Sequence, residues 1–109
     1  MSIDLPGPID SFVQAENSGD VEAVAECFAP YGTVRDEDRY YEGRPAIKSW
    51  TAKSKKKYRQ TVTPLEIRMS NGNATLKAEL SGDFPGSPVT ARFHFALVDG
   101  QIASLQIRN

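Results

Sequence analysis

Val89-Thr90-Ala91-Arg92-Phe93-His94-Phe95-Ala96-Leu97-Val98, then Asp99-Gly100, decides the fold of this 109-residue chain. The run alternates with period two. Val89, Ala91, Phe93, Phe95 and Leu97 form an apolar face, and Thr90, Arg92, His94 and Ala96 form the other. Asp99-Gly100 turns the chain into a final strand over Ile102–Ile107. Working back, Gly82–Pro88 is a Gly- and Pro-rich turn, Ala74–Leu80 a strand, and Asn71-Gly72 a hairpin turn from a strand over Val62–Met69.

The first half has helical spacing instead. Pro8 suits the first turn of a helix that carries Ile9, Phe12 and Val13 until Asn17-Ser18-Gly19 breaks it. Asp20 caps a second helix with Val21, Val24, Cys27 and Phe28 on one face, ended by Pro30. Gly32-Thr33-Val34-Arg35-Asp36 reads as a short strand, and Tyr40 and Tyr41 fall in the charged loop after it. Pro45 begins a third helix with Ile47 and Trp50 on one side. Helices followed by strands predict an α+β fold of one domain, residues 1–109.

Composition narrows the function. Apolar residues make up 39% and charged residues 25%, which excludes a disordered chain. The net charge of −1 hides a split: residues 1–38 hold nine acidic side chains and one basic, whereas residues 39–59 hold eight basic and one acidic. Lys53, Lys55, Lys56, Lys57 and Arg59 suit a helix C-terminus and a solvated face. Nucleic-acid binding would need more aromatic interleaving than Tyr58 supplies, so no nucleic-acid partner is expected. Apolar runs are too short for a membrane helix, and the N-terminal residues Met1–Pro6 lack the features of a secretion signal, so the expected location is cytoplasmic. One cysteine and one histidine support neither a disulfide framework nor a metal site. Cys27 reads as a buried small hydrophobe. No GxxxxGK[ST] or GxGxxG phosphate loop is present, and no cofactor is expected.

Phe12-Val13-Gln14-Ala15-Glu16-Asn17-Ser18-Gly19-Asp20, Cys27-Phe28-Ala29-Pro30, Gly32-Thr33-Val34-Arg35-Asp36, Gly43-Arg44-Pro45-Ala46-Ile47 and Val98-Asp99-Gly100-Gln101-Ile102 occur in an order that resembles the nuclear-transport-factor-2-like superfamily. The resemblance is to its SnoaL-like and ketosteroid-isomerase-like branches and spans residues 8–109. It implies a cystatin-like, cone-shaped α+β barrel around an apolar pocket, and a homodimer through the outer sheet face. Because this fold hosts many chemistries, function has to be argued from the site.

In the ketosteroid isomerases a Thr-Val-x-Asp strand delivers a general base, which by resemblance makes Asp36 the catalytic candidate. The hydrogen-bond donors of those enzymes correspond to Phe12 and Phe93 here, and neither can donate. Losing such a donor costs on the order of 3–4 kcal/mol, which argues against steroid isomerisation. The alternative for Asp36 is a solvated carboxylate beside Glu37 and Asp38. Phe12, Tyr40, Tyr41, Trp50, Phe93 and Phe95 are the candidate ligand contacts, with core packing the alternative for Trp50. His94 is expected on the outer face. Two functions follow: an isomerase-, cyclase- or dehydratase-type enzyme using Asp36 as general acid/base on a small apolar cyclic or carbonyl ligand, or a non-catalytic dimeric ligand-binding or protein-interaction module.

Overall fold

The computed structural model describes residues 3–108; Met1 and Ser2 of the N-terminal segment discussed above lie outside them. Pro8 stands in the first turn of α1 (Gly7–Ser18), and Gly19 ends it in the left-handed conformation, φ 75°. The Asp20 carboxylate accepts from the Ala23 N–H at 3.1 Å and caps α2 (Val21–Glu26). This helix is shorter than its apolar spacing predicts. Phe28 already belongs to β1 (Phe28–Asp36), with Pro30 exposed inside that strand. The reason is pairing. Ile102 takes Phe28 as its partner in a parallel ladder, which becomes irregular between Phe28 and Thr33, where Pro30 has no N–H to offer.

The tyrosine segment expected as a loop forms a further strand, β2 (Arg39–Glu42), antiparallel to β1. Its two-residue turn is Glu37-Asp38, both at positive φ (52° and 62°), a hairpin geometry usually signalled by Asn or Gly. Gly43 leads into α3 (Arg44–Tyr58), and Arg44 donates through Nε and Nη2 to the Phe28 carbonyl at 3.1 and 2.8 Å. This clamp sets α3 across β1.

The remaining strands are β3 (Thr61–Ser70), β4 (Asn73–Ser81), β5 (Val89–Val98) and β6 (Gln101–Arg108). Asn71-Gly72 and Asp99-Gly100 turn with positive φ at both positions, as their sequences predict. The sheet order is β2-β1-β6-β5-β4-β3, antiparallel except for β1 beside β6. The sheet is α+β in class and curved. It stays open, with β2 and β3 as its edges.

Its concave face presents Leu76, Ala78, Ala91, Phe93, Phe95 and Leu105 to the helices. Phe12 of α1 enters this bowl with no exposed surface. It packs edge-on against Phe28, Phe93 and Phe95, at ring-centroid separations of 6.1, 6.3 and 5.6 Å. No helix among the described residues is long and apolar enough to cross a membrane.

Asn17, at the end of α1, takes the place of a strand partner for Val62. Its amide nitrogen donates to the Val62 carbonyl at 2.9 Å, and its amide oxygen accepts from the Val62 N–H at 2.8 Å. Asn17→Ala should therefore lower the unfolding free energy by about 1–3 kcal/mol in urea titration, with the m-value unchanged. A loss below about 0.5 kcal/mol would mean that water replaces both bonds without cost.

Candidate functional site

Asp36 ends β1 two residues after buried Val34, so strand alternation turns it toward the helices. Ile47, Trp50 and Thr51 form the buried face of α3, and the Trp50 indole Nε1–H donates to Asp36 Oδ2 at 3.1 Å. Burial pushes the Asp36 carboxyl above its ordinary value of 3.8; the Trp50 hydrogen bond pulls it back, and the Glu37 charge adds to the rise. Trp50 is itself buried, so it is a core residue that also holds the carboxylate.

The two tyrosines of β2 part company. Tyr41 is half-buried with its ring 6.3 Å from that of Trp50. Tyr40 is 56% exposed, and the Arg35 guanidinium lies 5.6 Å from its ring centroid. Tyr41 is the inward one.

Asp36 stands in the wall of a cavity of about 390 Å³. Its apolar sides are Leu80, Phe84, Pro85, Val89 and Ile107; Ser54, Tyr58 and Gln60 join Asp36 and Glu37 as polar groups. The Tyr58 hydroxyl donates to Glu37 Oε1 at 3.2 Å, and its ring meets Phe84 edge-on at 5.8 Å. The Phe84 loop reaches α3 because Gly82 has no side chain: a Cβ there would come within 2.5 Å of the Tyr58 carbonyl oxygen. A second cavity, about 440 Å³, shares Asp36, Glu37 and Ile107 but adds Arg35, Asp38 and Arg108. That one is charged, and the first has the mixed lining typical of small-molecule sites.

Phe12, Phe93 and Phe95 lie in the packed core, not on the wall of either cavity. Their rings fill the space that the resemblance assigned to a pocket. Trp50 and Tyr41 lie behind Asp36 and are not lining residues either. His94 is on the convex face, its Nδ1 3.3 Å from Thr75 Oγ1, away from both cavities. Cys27 donates through Sγ to the Ala23 carbonyl at 3.2 Å, and burial pushes its thiol up, away from thiolate chemistry. Among the described residues no three His, Cys, Asp or Glu side chains cluster as metal ligands.

The chain also matches known proteins. Residues 9–105 match the SnoaL-like domain. The chain belongs to the SnoaL-like family. Among solved structures it is similar to a candidate polyketide cyclase, protein SMa1630 from Sinorhizobium meliloti, at 38% identity over 99% of both chains and a TM-score of 0.95. A Catenulispora acidiphila protein of ketosteroid isomerase-like fold, solved with trimethylamine, shares the fold at 20% identity, with 97% of this chain and 87% of that one covered and a TM-score of 0.87. The epoxide hydrolase/cyclase-like enzyme SalBIII, which acts in pyran ring formation in salinomycin, shares it at 21% identity, covering 92% and 85%, with a TM-score of 0.79. No curated protein sequence matches.

In this SnoaL-like domain one acidic group escapes the sequence reading. Glu16 of α1 is only 5% exposed. Burial pushes its carboxyl from 4.5 up to about 7; the Lys55 charge and a Gln60 hydrogen bond oppose the rise, and the Asp36 charge adds to it. The signal was available. Glu16 lies four residues after Phe12 and seven after Ile9, on the stripe that the helix buries.

Because the folded pKa is raised, the native state binds more protons than the unfolded chain between pH 4.5 and about 7. Stability is then fully present below pH 4.5 and declines as pH rises through 7. The total loss is roughly 3 kcal/mol from this one group. Glu16→Gln should remove that decline, making the variant more stable than the parent at pH 8 and nearly equal at pH 4.5. Chemical denaturation at the two pH values checks this, and a variant weaker at pH 8 would contradict the burial account.

Proposed function

We propose that this SnoaL-like domain binds a small apolar cyclic or carbonyl compound in the 390 Å³ cavity and that Asp36 exchanges a proton with it, in an isomerase-, cyclase- or dehydratase-type reaction. The observation that carries the reading is one carboxylate, held by an indole N–H, at the edge of a cavity with apolar sides.

Burial raises the proton affinity of Asp36 toward that of a useful base, while Trp50 keeps it ionised and oriented. A carbon acid next to a carbonyl would give its proton to Asp36 and receive it at another carbon, or the proton would pass to a departing oxygen. Negative charge gathering on the carbonyl oxygen needs donors. Phe12 and Phe93 offer none, but the Ser54 hydroxyl and the Gln60 amide line the cavity. The similarity to SMa1630 and the cyclase-like description of SalBIII support a cyclase-type or small-molecule-binding role.

The phenylalanine core favours a second reading, a non-catalytic ligand-binding or protein-interaction module, because it leaves the deep part of the bowl without polar chemistry. Both readings include a homodimer through the convex sheet face, where Arg92, His94, Ala96 and Gln106 point outward. Ala96→Arg near the middle of that face should give a folded monomer in sedimentation analysis. A parent protein that is already monomeric would remove the dimer from the proposal.

Deuterium exchange into 2-cyclohexen-1-one separates the two functions. The enzyme reading expects exchange catalysed by the parent protein, falling at least about 100-fold in Asp36→Asn, and rising with pH through a midpoint above 3.8. Saturable binding of the enone with no catalysed exchange favours the binding module, and absence of both contradicts the assignment of this cavity.

A further inference from the structure

The open edge of the sheet at β3 is protected over only part of its length. Near its start the Asn17 amide occupies both the N–H and the C=O of Val62, and Pro64 has no N–H to offer. The ladder to β4 is irregular between Pro64 and Glu66, and beyond that bulge it runs regularly to Ser70. In this second half Leu65 and Met69 are 45% and 54% exposed, and Ile67 between them is half-buried.

Which backbone groups face outward follows from the turn. Asn71-Gly72 is a two-residue turn, so Ser70 and Asn73, which flank it, bond to each other. Alternation then directs the N–H and C=O of Ser70, Arg68 and Glu66 to β4, and those of Met69 and Ile67 away from it. Among the described residues neither Ile67 nor Met69 has a backbone partner on that outer side. Their side chains stand opposite buried Leu76 and Ala74, on the concave face, whereas Glu66 and Arg68 stand opposite Lys77 and Thr75 on the convex face.

Leu65-Glu66-Ile67-Arg68-Met69 is complementary to itself in the antiparallel sense. We propose that this segment is a docking edge for a second copy of the chain, pairing about Ile67 and joining two six-stranded sheets into one. In that register the two Ile67 residues meet and exchange their outward N–H···O=C bonds. Glu66 of each copy meets Arg68 of the other, and Leu65 of each meets Met69 of the other. Each Glu66 already holds its own Arg68 at 2.8 Å, so the four charges alternate in sign around one contact.

Other registers fail. A slip of one residue sets outward amides against amides that β4 already uses. A slip of two residues places Arg68 against Arg68 or Glu66 against Glu66, like charges directly opposite. Exposed ion pairs contribute little affinity, so the charges select the register, while strand hydrogen bonds and apolar contact supply the attraction. Pro64 confines the pairing to a short segment, an interface smaller than that of permanent dimers, so the association belongs to the transient class. It is a different surface from the convex face of the proposed homodimer. It also leaves the candidate cavity open, because Leu80 of that cavity stands opposite Val62, toward the other end of the β3–β4 pair.

Dilution of the parent protein from roughly 1 mM to about 20 µM, followed by ¹⁵N–¹H NMR, tests the pairing. The Ile67 and Met69 amides should shift together along one binding curve, and their hydrogen exchange should be about twofold slower at the highest concentration. Charge reversal tests the register. Glu66→Arg and Arg68→Glu each bring like charges together, so neither variant alone should show the concentration dependence. An equimolar mixture restores opposite charges at both positions, and the Ile67 shift should return with the ¹⁵N label in either variant. The ion pair within the chain is broken in both variants, so it cannot produce that recovery. Ile67 and Met69 amides indifferent to concentration in the parent protein overturn the proposal, whether or not the variants fold. A mixture that behaves as the sum of its two components overturns the register about Ile67, and with it the self-complementary edge.

Discussion

The edge-on insertion of Phe12 between Phe28, Phe93 and Phe95 is the contact around which this molecule is arranged. A curved open sheet has one concave face to cover, and α1 covers its depth with a single aromatic plug. Fully burying an aromatic ring of this size contributes roughly 2–3 kcal/mol from transfer alone. Neighbouring apolar residues, Val24, Leu76 and Leu105 among them, complete the packing. With the depth filled, open space is left where α3, the Phe84 loop and the ends of β1 and β6 meet. The location of the candidate site follows from where the core stops.

The same region collects the charges that the sequence separates into an acidic and a basic block. Lys48 of α3 pairs with Glu22 of α2 at 2.8 Å, and Lys55 of α3 faces Glu16 of α1. The Lys48–Glu22 pair is largely exposed and adds little stability, but it shows where the basic block is neutralised: along the helical layer. Of the cluster from Lys53 to Arg59, Lys55 thus answers an acidic group of the same chain.

Periodicity carried most of the architecture. The alternation of β5 and the Asn71-Gly72 and Asp99-Gly100 turns were legible because their chemistry is local. Two features were not. Phe28 has the spacing of a helix residue, and only a partner far along the chain, Ile102, draws it into a strand. The β1–β2 hairpin turns on Glu37-Asp38, which carries no glycine signal. The site divides in the same way. Asp36 was legible through the resemblance of Thr33-Val34-Arg35-Asp36 to the ketosteroid-isomerase strand, whereas Ser54, Gln60 and Phe84 meet only in three dimensions. Phe12, Phe93 and Phe95 have the composition of a pocket lining, and the difference between lining and core lies in whether the rings touch each other. They do.

The reading of the site as chemical depends on Asp36 being a desolvated carboxylate held by Trp50. Trp50 is the sole tryptophan, so its indole N–H gives a single resonance that reports on its hydrogen-bond partner. The decisive measurement is a pH titration of that indole resonance, with the Asp36 carboxyl carbon followed in parallel. The account predicts that both move together, with one common midpoint above 3.8. An indole resonance indifferent to the ionisation of Asp36, or an Asp36 midpoint at 3.8, would contradict it.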